Sequence, residues 1–336
     1  MIINFGIFQS VNFMIDRLKL NSFAVELRHE WEINSLSPVN LLNTVLSRMP
    51  NLTILYYPMS DNTSGMCVKD IYDSSLDANI LNLKDLNGDS SPDREFSNLK
   101  DSDLDEDSST GSFNGLDEDS STGSDLDEDS STGSFNGLDE DSSTGSDFES
   151  KISSDMLIGI NSNMSIGRQN FTLAHELYHL LYEENKNNFV ICDYSSESDS
   201  EIEANIFASY LLIPYEGLKR YVKNMNISKW TLDDVIAAEQ YYQISHMALL
   251  FRLVEQNFIT EEESLEFQNV KISHEARIRG FNDDLYYPSP EDRKYFSLGN
   301  YVKSVGKAYS SNKISVGKKD ELLLDGFRGD LTFKKK

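Results

Sequence analysis

The chain is poor in cysteine, histidine and positive charge, and each shortage closes off a class of protein. Two cysteines, Cys67 and Cys192, cannot build a disulfide framework, and neither has zinc-site spacing, so free thiols are expected. No stretch nears the roughly 18 apolar residues of a membrane span. The beginning also lacks a basic segment leading into an apolar run with a small-residue cleavage site, so a cytoplasmic protein without a membrane partner is expected. The formal charge of −26 argues against nucleic acid at first sight. Much of it is local: residues 101–150 hold 17 acidic side chains and no lysine or arginine, which leaves −9 for everything else.

That acidic stretch is repetitive. Residues 104–115 (LDEDSSTGSFNG) are followed by LDEDSSTGSD at 116–125, and the pair recurs at 126–147. So few apolar groups cannot offset chain entropy, and disorder is expected for 85–150. A calcium-binding array would need the glutamate and the spacing of a real loop, which are missing. The segment interrupts sequence that belongs together, so it reads as a long surface insert. Setting it aside leaves roughly 270 residues, enough for one good core.

The chain has five histidines, and two of them stand in an H-E-x-x-H sequence within the stretch GRQNFTLAHELYHLL, 167–181. Chance matches in a chain so poor in histidine number on the order of 0.01. Phe171, Leu173, Ala174, Leu177, Leu180 and Leu181 nearly encircle the expected helix, so the polar cluster would be buried and in need of a partner. On a helix, His175 and His179 lie one above the other and can offer two imidazole nitrogens to one metal ion. Zinc (Zn2+) is the default, held by three protein groups with a position left open for water. Glu176, beside them, is the candidate general base for that water.

A second helix is expected over 198–213, with Ser198 and Asp199 at its start and Pro214 past its end. Two glutamates there compete as third metal ligand. Glu201 shares a face with Asn205 and Ala208, whereas Glu203 points about 200° away around the helix. Ala208 would permit close approach of the first helix, and the Asn205 amide could orient a ligand. Glu201 is therefore preferred over Glu203. Acidic residues in a first turn also suit the helix dipole, so either could simply be solvated.

The two segments 168–181 (RQNFTLAHELYHLL) and 201–214 (EIEANIFASYLLIP) resemble the ImmA/IrrE family of metallo-endopeptidases. Weaker similarity reaches 64–69 and 158–162, and then 298–302 through 321–325. The resemblance implies a thermolysin-like zinc site in which His175, His179 and Glu201 hold the metal and Glu176 serves catalysis. It also implies an edge strand that receives an extended peptide by strand addition. A narrow substrate is implied as well, typically a helix-turn-helix repressor encoded alongside. Tyr178 stands where many members have glycine, a change expected to affect packing beside the cleft.

Elsewhere, Phe23, Ala24, Leu27 and Trp31 have helical spacing, as do Val39, Leu41, Leu42, Val45 and Leu46 after Pro38. Short strands are expected at 51–57, from Met66 to Val68 as its partner, and at 156–160. Residues 231–245 and 246–257 read as a helix-turn-helix-like pair. The second helix offers only Arg252 as a basic group, and Leu249, Leu250, Leu253 and Val254 form a core ridge, so direct DNA binding is not expected. His29 and His274 carry no assigned role. His246 is read as a helix-start residue, with a second reading as an active-site electrophile. Helical spacing is also read over 293–307 and 318–327, ahead of a terminal Lys-Lys-Lys.

The expected fold is α+β: a mostly helical zincin-like catalytic domain with a small mixed sheet, a helix-turn-helix-like pair and a helical C-terminal region. The expected divisions are 1–84, the insert 85–150, the zinc core 151–224, the helical pair 225–280 and the tail 281–336. The expected activity is zinc-dependent endopeptidase; the rivals are a non-proteolytic regulatory binding protein and a toxin-antitoxin component.

Overall fold

A computed structural model describes residues 15–70, 155–183, 189–193 and 198–332. The acidic repeats and the terminal lysines lie outside the described residues. The fold is α+β, with one mixed sheet of five strands and a predominantly helical remainder.

Two helices open it. In α1 (Arg17–Glu30), Leu20, Ala24 and Leu27 are buried along one stripe, and Asp16 caps the first turn by accepting from the Lys19 amide. The start lies before the apolar stripe because this cap, not a hydrophobic residue, sets it. Next comes α2 (Leu41–Arg48), capped by Asn40. Arg28 is buried and bonds the carbonyls of Leu211, Asn34 and Ser37, which fastens the 34–37 turn to the core.

Five strands follow in the order β4-β2-β3-β1-β5: β1 (Leu52–Tyr57), β2 (Thr63–Val68), β3 (Met156–Asn161), β4 (Phe189–Asp193) and β5 (Phe296–Gly299). The strand containing Met66 to Val68 is not the partner of 51–57. Instead β3 lies between them, parallel to β1 and antiparallel to β2. Asn161 explains why. Its side-chain Nδ2 donates to the carbonyls of Ser60 and Thr63 while its Oδ1 accepts from the amides of Met59 and Asn163, so the 58–63 loop is carried across the end of β3. Sequence patterning cannot register a side chain that satisfies a loop 100 residues away.

The metal-motif helix α3 (Ile166–Leu181) packs against β2 and β3 on one side and against α4 (Asp199–Leu212) on the other. The rest of the helical part comprises α5 (Tyr215–Asn224), α6 (Leu232–Tyr242), α7 (His246–Glu255), α8 (Glu261–Gln268) and α9 (Ile272–Ile278). In α7, Leu249, Leu250 and Leu253 are fully buried and Arg252 is 1% exposed, paired with Glu255 and stacked on Tyr210. The one arginine of this helix therefore faces inward.

The helical reading of 293–307 is corrected. A single turn, α10 (Glu291–Lys294), is followed by β5, and only then does α11 (Asn300–Ser310) begin, with α12 (Val316–Asp325) folded back on it. β5 pairs antiparallel with β1, and the strand-to-helix switch sits at Gly299, whose φ is +89° and where a Cβ would lie 2.2 Å from the Leu52 carbonyl oxygen. Only glycine fits there.

Candidate metal centre

Ser198 starts α4 by accepting from the Glu201 amide, and this cap fixes which residues of the helix face α3. Ala204 and Ala208 are fully buried and let the two helices approach closely. His175, His179 and Glu201 are thereby brought together, all buried, with one ligand atom from each within 4.8 Å of the others. His175 Nε2 lies 3.1 Å from His179 Nε2. The Glu201 carboxylate lies 3.1 Å from His175 Nε2 and 3.5 Å from His179 Nε2.

The outer ring nitrogens decide what this cluster fits. His175 Nδ1 is 2.9 Å from Asn205 Oδ1, and His179 Nδ1 is 2.7 Å from Glu183 Oε2; both partners accept, so both Nδ1 atoms carry hydrogen. The two Nε2 lone pairs then face each other and a carboxylate at contact distance. Such an arrangement repels itself unless a positive charge sits among the three donors. Nitrogen and oxygen donors in this number suit a four-coordinate zinc ion with one position left for water. Electrostatics agree in direction: burial works against a charged His175, yet the Glu201 and Glu176 carboxylates hold its pKa up. For Glu183, burial pushes upward but hydrogen bonds from His179 and Ser200 hold the carboxyl below the usual range.

Glu176 is 0% exposed and points toward β2. A Cβ on Gly65 would lie 2.6 Å from its Oε1, and the Cys67 thiol donates a hydrogen bond to its carboxylate. Burial, and then the neighbouring carboxylate, push that thiol well above its ordinary value, so Cys67 is a free but unreactive sulfhydryl. The side chain of Cys192 lies outside the description.

Glu203 is outside the cluster and accepts from the hydroxyl of Tyr178, a residue of α3, at 2.5 Å. Tyr178 itself is 5% exposed and packs on Phe207, so the residue that replaces glycine fills the space between the helices. His246 is far from this cluster in function: it bonds Glu239 and the Phe267 carbonyl. His29 is exposed in the last turn of α1, and His274 faces Glu275 at 3.6 Å. Sequence reasoning missed Glu183, although its position four residues after His179 was a visible signal.

Residues 135–254 match the IrrE N-terminal-like domain of the Peptidase_M78 family. This part of the chain is similar to the IrrE N-terminal-like domain. The matched stretch contains α3, α4 and the helices through most of α7, so the cluster lies within the part of the chain that resembles a metallopeptidase family. The β1 and β2 strands that flank β3 lie before the matched stretch. Comparison with curated proteins gives no match. Among the described residues no helix is long and apolar enough to cross a membrane.

Proposed function

We propose that this chain is a zinc-dependent endopeptidase in which His175, His179 and Glu201 hold the metal and Glu176 is the general base. The observation that carries the reading is the convergence of two Nε2 lone pairs and a carboxylate, with both Nδ1 atoms already anchored. Zinc bound there supplies a Lewis acid that polarises a peptide carbonyl and acidifies water. Asn205 and Glu183 hold the two imidazoles in the tautomer that leaves Nε2 free. Glu176 takes the proton of the attacking water and passes it to the leaving amine.

The substrate proposed is a helix-turn-helix repressor encoded beside this chain, met in the cytoplasm. What supports it is the family resemblance. The test is to incubate the zinc-loaded chain with that repressor and follow cleavage by mass spectrometry. A single site cut by the wild type and not by Glu176→Gln is expected. An intact repressor beside active cleavage of unrelated peptides would remove the substrate assignment and leave the peptidase.

A further inference from the structure

The helix-turn-helix-like pair holds a buried polar cluster that the proposed chemistry does not use. Glu239, on α6, is 0% exposed, and His246, the first residue of α7, is 9% exposed. His246 Nδ1 lies 2.5 Å from Glu239 Oε1, and Nε2 lies 3.0 Å from the Phe267 carbonyl oxygen of α8. A carbonyl only accepts, so Nε2 carries hydrogen. A second hydrogen must lie between Nδ1 and Oε1, because two lone pairs would otherwise meet at hydrogen-bond distance. The count is the same whether that proton rests on the imidazole or on the carboxyl. The other Glu239 oxygen accepts from the Tyr286 hydroxyl at 2.6 Å. Glu239 is the titratable group that meets His246, and Tyr286 meets Glu239 from the other side; α8 presents the Phe267 carbonyl to the imidazole.

Both arms of this cluster grip the first turn of α3. Tyr286 anchors the strap that follows it, in which the Tyr287 carbonyl accepts from the Ile166 amide at 2.8 Å and Ser289 bonds Ser162 and Gln169. Just before His246, the Ile244–Ser245 backbone lies against Gly167, where a Cβ would sit 2.8 Å from it, and the Gln243 carbonyl accepts from Asn170. Glu239 is tied to both arms.

We propose that Glu239, His246 and Tyr286 form a protonated clamp that positions the N-terminal turn of the metal-motif helix and opens as pH rises. Burial alone would favour a neutral His246, but the Glu239 pairing holds its pKa above the ordinary value. A proton held more tightly in the folded chain contributes stability that is complete below the free histidine pKa. That stability is lost as pH rises through the folded pKa. The link to the metal rests on the reading of His175 and His179 as ligands. Opening of the turn does not, so the two fail separately.

The test is amide exchange at Ile166 in the full chain between about pH 6 and 9, corrected for intrinsic base catalysis, with the thermal midpoint followed in parallel. In the wild type, protection at Ile166 is expected to fall by up to about tenfold per pH unit between the free histidine pKa and the folded pKa, and to level off above it. His246→Gln should flatten that dependence. Tyr286→Phe, which cuts the strap from the clamp, should speed Ile166 exchange at every pH while the midpoint keeps its fall. Parallel pH profiles in the wild type and His246→Gln would overturn the proposal. If His246→Gln does not fold, Tyr286→Phe decides alone, and wild-type protection of Ile166 in that variant would overturn it.

Discussion

The chemistry of the site is set by which nitrogen of each imidazole is tied down. Asn205 and Glu183 do not reach the metal position, yet each fixes the hydrogen on Nδ1 that keeps the inward nitrogen a donor. Asn205→Ala and Glu183→Ala are each expected to weaken zinc binding about 10- to 100-fold without changing the fold, measured by chelator competition. Glu201→Ala should weaken it far more than Glu203→Ala, because Glu203 is committed to the Tyr178 hydroxyl and is not among the three groups that converge. The reverse order would mean that the helix presents its other face. The placement of Glu201 and Asn205 toward the two histidines was legible because helix geometry converts spacing into direction: 201, 205 and 208 share a face whatever surrounds them. Glu183 carries the same four-residue signal after His179, but it lies past the helix end, so its reach to the ring also depends on how the chain leaves α3.

At the scale of elements, β2 and α3 approach closely at Gly65. A Cβ at Gly65 would fall 2.6 Å from Glu176 Oε1, 2.7 Å from Thr172 Cγ2 and 2.8 Å from the Gly159 carbonyl oxygen, and none of these can retreat cheaply. Gly65→Ala is therefore expected to lower stability by about 1–3 kcal/mol, seen in chemical denaturation, and to depress peptidase activity by displacing Glu176. Wild-type stability in that variant would show that the strand is free to slide. Helices were easier to read than strands here. The stripes of α1, α3 and α4 repeat over several turns, whereas β4 and β5 are only five and four residues long and owe their existence to partners distant in sequence. Phe296 and Leu298 alternate as a strand does, but a stretch this short is submerged in the helical apolar spacing of 293–307, and the decision falls to Gly299, whose backbone only a glycine accepts.

On the scale of the molecule, the sheet ties together stretches separated by most of the sequence. β5 brings the C-terminal helices onto β1, and the β2–β3 pairing sets Val68 opposite Leu157 on either side of the long acidic stretch. Because those neighbours are joined by the sheet itself, removing residues 101–150 is expected to leave zinc content and thermal midpoint unchanged, while removing 17 negative charges. Any change should be confined to substrate approach and should weaken with added salt. Loss of folding in the deletion would make the acidic stretch part of the catalytic body. The central claim, that α3 and α4 build a metal centre with a separate base, is tested most directly by metal analysis of the purified chain. About one zinc per chain is expected in the wild type and in Glu176→Gln, and none in the His175→Ala, His179→Ala double variant. Stoichiometric zinc retained by that double variant would contradict the account.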